Sequence, residues 1–108
     1  MLQTTDIARE WKDWGAVLKS GDFKGLEAKP DNGIVADWWN RGWIPFASNG
    51  GGDHLCIDLV PTKGGTVGQV ILVRHDDPAR QMKARSFNDW LRQLAETIEN
   101  GGIDYLVE

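Results

Sequence analysis

The stretch His54-Leu55-Cys56-Ile57-Asp58 sets an imidazole, a thiol and a carboxylate at alternate positions. In a β-strand, alternate residues share a face, so all three would point the same way. With His75 further along, Cys56, His75 and Asp58 outline a thiol hydrolase, and His54, Cys56, His75 and Asp76 are ligand types that zinc accepts. Neither reading has the supporting element it needs. A reactive thiolate requires a helix N-terminus or a neighbouring cation, and no elbow or helix start is evident at Cys56. Structural zinc takes four ligands at recognisable spacings, and a lone strand cysteine is more often a small buried hydrophobe. An enzyme or small-ligand binder built on Cys56, His54 and His75 is therefore the alternative reading; no cofactor and no metal are expected.

Other groups invite chemistry less strongly. Asn49-Gly50-Gly51-Gly52 and Lys63-Gly64-Gly65 could cradle a phosphate, but both lead into apparent strands and neither matches a phosphate-loop spacing. Hairpin turns or bulges explain them with less. Six tryptophans could stack on a flat ligand, yet Trp11, Trp14 and Trp90 fall on helix stripes with Ile and Leu and are expected in the core. Trp38 and Trp39 are flanked by Asp37, Asn40 and Arg41, so one indole is expected inside and the other at a rim. Five carboxylates, Asp37, Asp53, Asp58, Asp76 and Asp77, stand near strand ends and turns. Together with Trp39 and His54 they form the candidate protein-binding surface, whose charge would attract a basic partner.

These groups must be positioned by a few elements. Ile7, Trp11, Trp14 and Leu18 lie on one helical stripe, with Thr5 or Asp6 as cap and Gly21 as stop. A loop is expected from Asp22 to Gly33, and Ile34 to Asn40 is ambiguous between helix and strand. Three strands follow: Trp43 to Ala47, one carrying Leu55, Ile57 and Leu59 on its core side, and Thr66 to Arg74. The last is apolar on both faces at Val70-Ile71-Leu72-Val73, which predicts an interior strand. Asp76-Asp77-Pro78 closes it. Ser86 and Asp89 open a helix carrying Trp90, Leu91, Leu94 and Ile98 on one side, ended by Gly101-Gly102. The fold class predicted is α+β, a mainly antiparallel sheet of short strands flanked by an N-terminal and a C-terminal helix.

The whole chain narrows the partners. Its 108 residues suit one domain, and 12 Lys and Arg against 16 Asp and Glu give a net charge of −4. That balance disfavours direct nucleic-acid binding, which needs a basic stripe to release counterions. The longest apolar run is four residues, which excludes a membrane span read from sequence. One cysteine cannot form an internal disulfide and the N-terminus has no secretory pattern, so the expected location is cytoplasmic.

The segment WWNRGWIPFASNGGGDHLCIDLVPTKGGTVGQVILVRHDD, with S-F-x-x-W-L at Ser86 to Leu91, resembles the SUKH superfamily and its SMI/KNR cell-wall-assembly-regulator branch in bacteria. The likeness spans about Trp38 to Gly101, and the first helix with its TTDIAREW start resembles the segment that precedes it in longer members. It implies an α+β protein-interaction module without catalytic residues. Specifically it implies an immunity-type protein that neutralises a toxin, such as a basic nuclease domain. Longer members carry an N-terminal part that this chain is expected to lack, which predicts a homodimer covering the bared apolar surface.

Overall fold

Val70-Ile71-Leu72-Val73 does lie at the centre of the sheet. The structure, a computed structural model, describes residues 4–20, 26–48, 53–74 and 76–99. Its elements are α1 (Thr4–Ser20), β1 (Lys29–Pro30), β2 (Trp43–Ser48), β3 (His54–Asp58), β4 (Gln69–Val73), β5 (Ala79–Ala84) and α2 (Phe87–Glu99). The strands form one sheet in the order β1-β5-β4-β3-β2, antiparallel except for the β1–β5 pair. This is the predicted α+β layout.

Both faces of the sheet are covered. On one side Leu55, Val70, Leu72 and Ala84 pack under Phe46 and Trp90, with Ile7, Phe87 and Leu94 around them. Phe46 meets Trp90 edge-on at 4.8 Å and Phe87 at 5.2 Å. A register shift between Pro45 and Ala47 makes Phe46 an extra residue in β2, and both Phe46 and Ala47 join this core. On the other side Trp39, Trp43, Cys56, Ile71 and Val73 are roofed by Ile34, Val35 and Trp14. Trp14 comes from α1; the rest of that roof, with Trp39, is the irregular segment 31–42, which is neither helix nor strand. Since α1 packs against the edge strand β2, it reaches both cores, Ile7 on one side and Trp14 on the other.

Local signals account for several boundaries. The Ser86 hydroxyl accepts the Asp89 amide at 3.0 Å, the expected cap of α2. Pro45, without an N–H, sits in an edge strand that pairs on one side only. The turn before β4 uses Gly64 at φ +95° and Gly68 at φ +91°, a region where a side chain would strain the backbone.

Other expectations are corrected. α1 begins at Thr4, so Thr5 and Asp6 lie inside its first turn rather than capping it, and Asp6 pairs there with Arg9 at 2.8 Å. Trp11 is 37 % exposed and not core: Ile7 and Trp14 meet the two cores, whereas the Trp11 indole N–H reaches the Arg41 carbonyl at the rim of the roof. Leu91 is likewise exposed at the margin of the α2 stripe formed by Phe87, Trp90 and Leu94. Leu59 lies beyond β3 and is exposed. The expected loop contains β1, and β5 was not foreseen, since Ala-Arg-Gln-Met-Lys-Ala has little strand propensity and is held by pairing with β4. The Asn49 to Gly52 turn and the stops at Gly21 and Gly101-Gly102 lie outside the described residues.

Trp90 has no exposed surface, so Trp90→Ala should cost about 3–5 kcal/mol in urea unfolding. Trp11→Ala should cost only about 1 kcal/mol, although it loses the bond from its indole N–H to the Arg41 carbonyl at 2.7 Å.

Candidate functional site

Strand β3 presents His54, Cys56 and Asp58 on one face, as alternation requires, but the roof of segment 31–42 and α1 closes over that face. All three side chains are buried. The His54 ring sits edge-on to Trp14 and Trp39, with centroids 5.7 and 5.9 Å away. Its Nε2 faces the Glu10 carboxylate of α1 at 3.2 Å. An ionised carboxylate only accepts, so Nε2 carries the hydrogen and Nδ1 has no hydrogen-bond partner among the described residues. His54 thereby ties α1 to the sheet.

Cys56 is a buried free thiol. Burial pushes its pKa well above the usual thiol value, the nearby Asp58 charge raises it further, and Arg80 lowers it only in part. A thiol held neutral in this way is no nucleophile at neutral pH. Among the described residues no three His, Cys, Asp or Glu side chains gather in a metal-binding group. His75, proposed as the second imidazole, lies outside them.

Asp58 was expected on the working surface and is fully buried. Its Oδ1 accepts the Val60 amide at 2.9 Å and its Oδ2 accepts the Gln69 side-chain amide at 2.8 Å. Gln69 Nε2 also donates to the Gly33 carbonyl at 2.9 Å, and Gln69 Oε1 accepts the Thr66 amide at 2.9 Å. One carboxamide thus joins β3, β4, the roof and the turn between the strands. The fit is close: a Cβ at Gly65 would collide with the Gly33 carbonyl oxygen. Gln69 carried a readable signal, a lone amide leading into an apolar run, although its partners did not.

At the other end of the sheet Arg80 is also buried. Its Nη1 donates to the carbonyls of Arg74, Asp77 and Ala79 at 3.1, 2.7 and 2.8 Å, and Nη2 to that of Trp38 at 2.8 Å. The guanidinium lies 4.6 Å from the Trp38 ring centroid. Burial lowers its pKa to about 10, with Asp77 acting in the opposite sense, so it stays charged at neutral pH. No sequence signal pointed to Arg80: its acceptors are backbone carbonyls, which carry no residue signature, and Trp38 is distant along the chain.

Of the remaining candidates, Trp39 is buried, and the indole at the rim is the half-buried Trp38. Asp37 accepts the Asn40 side-chain amide at 2.9 Å and serves the roof. Asp53 precedes β3 and is half-buried. Asp76 and Asp77 are exposed in the turn between β4 and β5, where Asp77 Oδ1 also accepts the Ala79 amide at 2.8 Å. The register pairs His54 with Val73 and Val73 with Arg80. Asp53, Asp76 and Asp77 therefore share one end of the sheet, and the buried Asp58 belongs to the other.

The buried Asp58–Gln69 pair, the Trp43–Pro45 edge strand and the capped α2 account for the motif residues as architecture. The model of the SMI1 / KNR4 family (SUKH-1) matches residues 3–93. This chain belongs to that family. The match takes in α1, as the likeness of its TTDIAREW start implied. Among its relatives are the cell wall biosynthesis/cell cycle regulator smi1 of Schizosaccharomyces pombe, 38% identical over 94% of this chain and 22% of that protein. A KNR4/SMI1 homolog of Kluyveromyces lactis is 32% identical over 78% of this chain and 16% of that protein. The cell wall assembly regulator SMI1 of Saccharomyces cerevisiae is 28% identical over 87% and 18%. The chain spans about a fifth of the length of these fungal relatives, of which the Schizosaccharomyces pombe and Saccharomyces cerevisiae proteins are named as regulators.

The buried face makes two predictions. The Cys56 thiol of the folded protein should resist a disulfide reagent at pH 8 and react only on unfolding; reaction of the native state at neutral pH would restore the nucleophile. Asp58→Ala should cost about 1.5–3 kcal/mol by urea denaturation, the usual worth of hydrogen bonds to a charged group.

Proposed function

We propose that this SMI1/KNR4-family domain is a non-catalytic protein-binding module with a regulatory role. The observation that carries the reading is that the side chains with chemical potential are consumed internally. His54 holds α1, Cys56 is a neutral core residue, and Asp58 holds the Gln69 carboxamide. The regulator names of the relatives agree with it. No helix among the described residues is long and apolar enough to cross a membrane. The cytoplasmic location is proposed from the single cysteine, which forms no internal disulfide.

The surface offers two kinds of contact. After β3, Leu59 and Val60 stand exposed in the turn that ends with Val67, itself 66 % exposed, and apolar side chains on a polar rim suit a protein interface. We assign the expected homodimer to this lip. At the opposite end Asp76 and Asp77 carry the charge that a basic partner would meet. Neutralisation of a basic toxin is the narrower form of the proposal and rests on that end.

Two measurements test these points. Light scattering at micromolar concentration should read twice the 12.1 kDa of the chain, and Val67→Lys should halve it. Co-purification at moderate salt with the product of the neighbouring reading frame should retain a basic polypeptide. Asp76→Lys with Asp77→Lys should release it, whereas retention by the doubly reversed protein would remove that turn from the interface.

A further inference from the structure

The two margins of the sheet are finished differently. α1 covers β2, but the outer margin of β5 is paired only where Lys29 and Pro30 lie beside Ala79 and Arg80. The next outward amide, that of Met82, donates to the Asp31 carboxylate at 2.8 Å instead of to a strand. From there to α2 the margin has no strand neighbour among the described residues. The ladder then shifts: Ile71 pairs with Met82 and Val70 with Ala84, which leaves Lys83 as an extra residue. A bulge of this kind bends a strand and re-aims its side chain, and with an edge lysine it discourages the addition of another strand.

Between this bulge and the first turns of α2 runs an open groove of about 470 Å³, within the range of ligand-sized sites. Lys83, Arg85 and Arg92 line it with three cations, Asp89 supplies one carboxylate, and Met82 and Ala84 add apolar surface. Asp89 reaches Arg92 at 3.6 Å across an exposed pair, too loosely to cancel the local charge. Among the lining side chains cations thus outnumber carboxylates by two, on a protein whose net charge is −4.

We propose that this groove binds an acidic segment of a partner protein through its side-chain carboxylates. Charge complementarity selects the occupant. The planar guanidinium groups of Arg85 and Arg92 match carboxylates in bidentate geometry, Lys83 adds a point charge, and the apolar walls accept an intervening aliphatic residue. The bulge means that the segment lies along the groove and does not extend the sheet. A nucleic acid fits poorly, because a long polyanion would leave three cations behind and meet the negative remainder of the surface. The site is separate from the acidic turn at Asp76 and Asp77, so either can fail without the other.

The test uses the full chain and a fluorescein-labelled peptide, Gly-Glu-Glu-Leu-Glu-Glu-Gly, with a Lys-for-Glu counterpart as control. The acidic peptide should bind, lose affinity severalfold between 0.05 and 0.3 M salt, and lose about tenfold on Arg85→Glu with Arg92→Glu, as expected for two exposed ion pairs. Lys83→Glu should weaken it separately. Asp76→Lys with Asp77→Lys should not weaken it. Both arginines are exposed, so the thermal midpoint of the double variant should match that of the parent and confirm folding. Equal binding of the two peptides, or binding untouched by the arginine reversals, would overturn the proposal. So would salt-sensitive self-association abolished by those reversals with the acidic peptide unbound, which would assign the groove to a second copy.

Discussion

The Gln69 carboxamide is the interaction on which the arrangement of this domain turns. Placed at the start of the central strand and shielded from water, it must satisfy both ends of its amide internally or cost the fold several hydrogen bonds. It does so with the Asp58 carboxylate, the Gly33 carbonyl and the Thr66 amide. These belong to β3, the irregular roof and the turn before β4, so one side chain fixes where the roof lies over the sheet. Once the roof is placed, Ile34 and Trp39 close over Cys56 and Ile71.

Arg80 does the same at the far end. It gathers four carbonyls from the β4–β5 turn, the start of β5 and the roof around one guanidinium, which suits a buried cation that must stay charged. Between these anchors the roof is held at both ends, and the strand face bearing His54, Cys56 and Asp58 is sealed. The residues that looked most chemical are thereby structural. Recognition is left to the ends and margins of the sheet, where the charges are segregated: Asp76 and Asp77 at one end, Lys83, Arg85 and Arg92 beside the bulge near the other.

Much of the fold was legible because it depends on local rules. The apolar run of β4 announced an interior strand, alternation in β3 put the right residues on each face, and Ser86 marked the start of α2. Strand β5 was hidden because its residues are polar and its stability comes from pairing with β4 rather than from propensity. The side-chain pattern of α1 predicted a buried stripe but not which member would miss the sheet. Trp11 stays half outside because the helix lies against a sheet edge, where Ile7 and Trp14 are its described side chains that reach the cores.

By itself the sequence determined the class of fold, the central strand, the two helices and the family likeness, all set by periodicity, turn chemistry and motif spacing along the chain. Only the tertiary structure decided which polar residues are exposed. Burial depends on what folds over a residue, and the roof over Asp58 comes from a separate segment of the chain, joined at Gly33 through an amide whose partners no local pattern predicts. The basic groove is equally non-local, since Lys83 and Arg92 become neighbours only when α2 packs back against β5.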